Sequence, residues 1–93
     1  MSFPAFNFDN IRKEPLGTVY VVDDDVDVRD SMRRLLESQG YRVEAYDSGE
    51  AFIAKYDPNA IAVLLLDQRM PGMTGTEVQD HLIARKATIP IIF

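Results

Sequence analysis

Apolar and polar positions change their period several times along this chain, and each change marks an element. Thr18–Val22 (TVYVV) is a short apolar run rich in β-branched and aromatic side chains, the pattern of a buried strand. Val28, Met32, Leu35, Leu36 and Gln39 then recur on one helical face, with Arg29, Asp30, Arg33, Arg34 and Glu37 elsewhere, and Gly40 closes the helix. Tyr41–Tyr46 (YRVEAY) alternates apolar with polar, which predicts a second strand with one wetter face. Asp47 or Ser48 offers a cap to a short helix carrying Phe52, Ile53 and Tyr56, stopped by Asp57-Pro58-Asn59. Ala60–Leu66 is continuously apolar, as a strand covered on both faces would be. Thr74 and Glu77 have capping-box spacing, and the helix they open shows Val78, Leu82 and Ile83 on one side. Ile89–Phe93 (IPIIF) reads as a last strand. The order β-α-β-α-β-α-β predicts a parallel sheet with right-handed crossovers and helices on both faces.

Length adds that 93 residues make one small domain or part of one. Residues 1–17 show no clean period and are read as an N-terminal extension, leaving 18–93 as the domain. A net charge of −5 argues against nucleic-acid contact by this chain. The absence of cysteine excludes disulfides, thiolate metal sites and a Cys nucleophile. The longest apolar run, Ala60–Leu66, is too short to span a bilayer, and the first residues lack a signal-peptide pattern. The expectation is a soluble cytoplasmic protein with no membrane contact.

The candidate chemistry lies at strand ends. In an open α/β sheet, ligands bind beyond the carboxyl ends of the strands. The first strand ends in Asp23-Asp24-Asp25 and the third in Asp67. If these strands are neighbours, their carboxylates meet on one rim, and two such charges about 4 Å apart repel by roughly 4 kcal/mol at an effective dielectric near 20. An oxygen-only cluster of this kind suits a hard cation such as Mg²⁺ and points to phosphate chemistry. Any one of Asp23, Asp24 and Asp25 could instead simply cap the following helix. Asp67 cannot be explained that way, because the next helix starts only near Thr74.

With VYVVDDD, LLLDQRMPGMTG and this element order, residues 18–93 resemble the receiver domain of bacterial two-component response regulators. The stretch from Val19 to Phe52 is most similar to the nitrogen-fixation subgroup, whose members usually carry a LuxR-type DNA-binding effector. The resemblance implies a flavodoxin-like (CheY-like) doubly wound parallel sheet of order 2-1-3-4. It implies Asp67 as phosphoacceptor from a sensor histidine kinase and as a metal ligand. Asp24 would bind Mg²⁺ (or Mn²⁺ or Ca²⁺ in its place) directly, Asp23 directly or through water, and Arg69 through its main-chain carbonyl. Asp25 matches a position that is often acidic without being a required ligand. The domain would assist its own phosphorylation and turn over no separate substrate.

The family pattern runs past Phe93, to a Ser or Thr ending strand four and a Lys ending strand five. The expectation is therefore a partial receiver without strand five and the last two helices, prone to self-association if the chain is truly this short. Two other functions stay open. One is a receiver-like scaffold that binds a partner without phosphorylation. The other is a fragment of a haloacid-dehalogenase-type phosphatase, with Asp23 as nucleophile and Asp25 as acid. His81, the single histidine, is read as a solvated or packed side chain, Met70 and Met73 as packing over the strand ends, and Arg33-Arg34 as a solvated basic pair or a kinase contact.

Overall fold

The computed structural model describes residues 17–93. The proposed extension, apart from Gly17, lies outside the described residues. Four strands and three helices alternate: β1 Thr18–Val22, α1 Val26–Ser38, β2 Arg42–Tyr46, α2 Gly49–Lys55, β3 Ala62–Leu66, α3 Gly75–Ala84 and β4 Ile91–Ile92. All pairings are parallel and the strand order is β2-β1-β3-β4, the order expected from the sequence. β1 is central. Val22 stands opposite Tyr46 on one side and Leu66 on the other, so the three strands end level.

Side-chain alternation divides the core in two. Tyr20, Val22, Leu64 and Leu66 face one side, where Phe52 of α2 and Val78 and Leu82 of α3 cover them. Val19, Val21, Val43 and Val63 face the other, under Met32 and Leu36 of α1. Burial on both faces is why β1 and β3 read as unbroken apolar runs. On the first face Phe52 packs edge-on to Tyr20 at 5.2 Å and stacks on Tyr56 at 4.9 Å between ring centroids. The Tyr20 hydroxyl accepts the Asp57 N–H at 3.1 Å, tying the end of α2 to the central strand.

Several expected bounds shift. β3 begins at Ala62, not Ala60, and Ile61 is about half exposed. β2 begins at Arg42 rather than Tyr41, and β4 holds only Ile91 and Ile92 of the expected 89–93. Val28 and Leu35, placed with the buried face of α1, are exposed; the α1 residues packed on the second core are Met32 and Leu36. Ile83 is exposed as well: the buried stripe of α3 is the i, i+4 pair Val78 and Leu82, and the next position turns away. Gly40 does close α1, at φ 91°, the left-handed geometry glycine adopts without strain.

Candidate functional site

The level ends of β1 and β3 bring the acids together. Asp67 continues β3 by one residue, its N–H donating to the Val22 carbonyl at 2.9 Å, and Asp23 continues β1, its N–H donating to the Tyr46 carbonyl at 3.2 Å. Both carboxylates therefore leave from backbone held in the sheet. Asp23, Asp24 and Asp67 each offer an oxygen within 4.8 Å of the others, with Asp23 and Asp67 half-buried and Asp24 exposed. The donor set is three carboxylates with no nitrogen or sulfur, which fits a hard divalent cation.

The triple aspartate divides into distinct roles. Asp25 is the N-cap of α1: its carboxylate accepts the N–H groups of Asp27 at 2.9 Å and Val28 at 3.2 Å. It stands outside the cluster, so the capping role open to all three acids falls to this one. Asp23 Oδ1 accepts the Asp25 N–H at 2.9 Å. Burial raises the Asp23 carboxyl above its ordinary range; that N–H opposes the rise, while the charges of Asp67, Asp24 and Asp25 add to it.

The loop after Asp67 folds tightly. The Arg69 N–H donates to Asp67 Oδ1 at 3.1 Å, so the main chain at position 69 is tied to the acid two residues before it, while the Arg69 side chain is exposed. Gln68 bridges to α3 twice: its carbonyl accepts the Gly75 N–H at 3.2 Å, and its Nε2 donates to Thr76 Oγ1 at 2.6 Å. Gly75 is bare where this backbone crosses it; a Cβ there would lie 2.8 Å from the Asp67 carbonyl oxygen and 2.9 Å from the Gln68 Cα. Thr74 and Glu77 form the expected capping box. Met70 is buried in the core and Met73 packs against it, as expected. His81 is exposed on α3, away from the acids.

Sequence reasoning overlooked Arg29. From the first turn of α1 its guanidinium donates to the Asp23 main-chain carbonyl at 2.8 Å. The sequence shows position 29 only as part of the polar side of the helix; its i+6 spacing from Asp23 carries no motif. An apolar groove of about 320 Å³ between α1 and the sheet reaches the acids: Asp23 and Asp67 line it together with Val21, Val28, Met32, Leu65 and Ile92.

Comparison with known proteins decides what this arrangement is. The response regulator receiver domain family matches residues 19–93. The chain belongs to that family. As a receiver domain it is 36% identical over 76 residues to the transcriptional regulatory protein FixJ of Bradyrhizobium diazoefficiens, covering 82% of this chain and 37% of FixJ. It superposes on the response regulator StyR with a TM-score of 0.80 and 47% identity, covering 82% of this chain and 38% of StyR. TrrA of Thermotoga maritima, solved with Mg²⁺ and beryllofluoride, matches at a TM-score of 0.74 and 29% identity over 82% of this chain and 66% of TrrA. TrrA has also been solved in complex with the histidine kinase ThkA; that copy matches at a TM-score of 0.71 and 28% identity over 80% of this chain and 64% of that one. The receiver domain thus spans little more than a third of FixJ and StyR. None of its described helices is long and apolar enough to cross a membrane.

Proposed function

We propose that this receiver domain accepts a phosphoryl group on Asp67 from a sensor histidine kinase. The observation that carries the assignment is the position of Asp67: half-buried, fixed to the end of β1 through its N–H, with Asp23 and Asp24 oxygens within 4.8 Å. An Asp67 carboxylate oxygen attacks the phosphorus of the phosphohistidine, the N–P bond breaks, and the imidazole departs as the electron pair returns to nitrogen. Asp67 becomes an acyl phosphate. Asp24 and Asp67, with Asp23 directly or through water and the main-chain carbonyl of Arg69, would hold Mg²⁺. The cation would offset the charge that builds up as the phosphoryl oxygens approach these acids.

The chain's own contribution is positional. The β1–β3 pairing fixes Asp67, and the Arg69 N–H bound to one of its oxygens leaves the other for the incoming phosphorus. One phosphoryl group is accepted per domain, with no separate substrate turned over. The resemblance to TrrA, solved with a histidine kinase, supports the partner class. The resemblance to FixJ supports an output through transcription, carried by a DNA-binding effector outside this chain. A cytoplasmic location belongs to the same reading and rests on the family.

The phosphatase assignment, with Asp25 as acid, is disfavoured because Asp25 caps α1 and stands outside the cluster of Asp23, Asp24 and Asp67. Incubation with Mg²⁺ and acetyl phosphate, followed by trapping and peptide mapping, should place the label on Asp67, and Asp67→Asn should abolish it. A label on Asp23 would overturn the assignment. Mg²⁺-dependent beryllofluoride binding that is lost in Asp67→Asn would exclude a phosphorylation-independent scaffold.

A further inference from the structure

We infer that Arg29 is a positioning residue for cation binding, acting through the main chain that carries the acids. This inference rests on the cation site proposed above. Asp24 is exposed, and its carboxylate makes no hydrogen bond or ion pair among the described residues. Its direction is therefore set by the backbone alone, through the peptide that joins it to Asp23. The oxygen of that peptide is the one that Arg29 holds, at 2.8 Å. Asp23 is tied at two further points, by its N–H to Tyr46 and by its carboxylate to the Asp25 N–H. Removing Arg29 leaves both of those in place and frees only the peptide plane that aims Asp24.

The choice of acceptor is informative. Arg29 is half-buried and hydrogen-bonded to the main chain of one member of the carboxylate cluster, yet it makes no ion pair among the described residues. A guanidinium commonly pairs with a carboxylate; here it donates to a neutral carbonyl. Its backbone is fixed as well, because the Arg29 N–H donates to the Asp25 carbonyl at 2.9 Å as the first turn of α1. The Asp25 cap, the first helical turn and the Arg29 side chain form a closed frame around the Asp23–Asp24 peptide.

Positioning and through-space charge predict opposite signs. If Arg29 acted only as a nearby positive charge, neutralising it would remove a repulsion and tighten Mg²⁺ binding. If it orients the peptide, neutralising it weakens binding. The test is calorimetric titration of Mg²⁺ into the 93-residue chain and its Arg29→Gln, Arg29→Lys and Asp24→Asn variants, with thermal unfolding of each in EDTA. Wild-type binding that Asp24→Asn abolishes establishes the site. Arg29→Gln and Arg29→Lys should then each bind about tenfold more weakly, the order expected on losing a charge-assisted hydrogen bond, while unfolding cooperatively. Equal or tighter binding by Arg29→Gln overturns the inference and leaves the proposed function standing. Should Arg29→Gln lose its cooperative transition, Arg29→Lys decides, and wild-type affinity in that variant overturns the inference. A wild-type chain that binds no Mg²⁺ overturns both.

Discussion

Replacing Gly75 by Ala tests how tightly the loop after Asp67 is built onto α3. The added Cβ would lie 2.8 Å from the Asp67 carbonyl oxygen and 2.9 Å from the Gln68 Cα, both backbone atoms that cannot rotate away. Relief requires moving that backbone by about 0.5 Å, and forcing an extra carbon into a packed site costs about 1–3 kcal/mol. Alanine's better helix propensity returns up to about 1 kcal/mol, and less at the first helical position. The net expectation is a loss of about 1–2 kcal/mol, or a fall in Tm of about 5–15 °C for a domain of this size. The strain falls on the residue bearing the proposed phosphoacceptor, so Mg²⁺ affinity should drop as well. Gly40→Ala serves as the control. Its φ of 91° makes alanine similarly costly, by about 1–2 kcal/mol, but it lies at the opposite end of the sheet from the acids. Chemical denaturation and Mg²⁺ titration of both variants should show comparable destabilisation, with weakened Mg²⁺ binding in Gly75→Ala alone. A Gly75→Ala variant as stable as wild type would refute the close-approach argument. Equal stability losses with equal Mg²⁺ affinities would refute its coupling to the site.

Two other outcomes follow from the geometry. The folded domain holds the Asp23 proton to higher pH than the unfolded chain does, so the stability from this group is fully present below the ordinary carboxylate value of 3.8 and is lost as pH rises through the raised folded value; melting in EDTA across that range should show the loss in wild type relative to Asp23→Asn, and a flat difference would contradict it. Tyr20→Phe keeps the ring against Phe52 but removes the hydroxyl that accepts the Asp57 N–H, so its urea midpoint should fall by the equivalent of about 1 kcal/mol, and an unchanged midpoint would show that water replaces the contact without cost.

The parts of the fold that depend on short-range pattern were legible in the sequence. The apolar runs of β1 and β3, the Thr74–Glu77 box and Gly40 each carry a local physical signature, and the structure keeps all of them. What failed depends on which neighbour an element meets. Leu35 and Ile83 have the right period for burial, yet lie one position off the stripe that touches the sheet. The end of α3 was unreadable because Lys86, at φ 56°, takes the left-handed position that glycine takes after α1. At the site, the acids were visible because strand ends in a parallel sheet must converge. Composition could not say which acid of the triple caps the helix; that depends on the loop geometry that turns Asp25 toward the N–H groups of Asp27 and Val28. Arg29 was invisible because its partner is a main-chain carbonyl, which has no letter in the sequence.

The hydrogen bond from the Asp67 N–H to Val22 also sets an order of events. Asp23 and Asp24 sit in the first β-α-β unit, made of β1, α1 and β2. Asp67 joins them only when β3, more than forty positions further along, docks on the free side of β1. Long-range parallel pairing is the slow part of folding such a sheet. During synthesis the chain therefore carries two of its three acids for some time before it can assemble the cluster. Competence to bind the cation would mark completion of the central sheet, so a metal-dependent signal from a refolding or nascent chain would time the docking of β3.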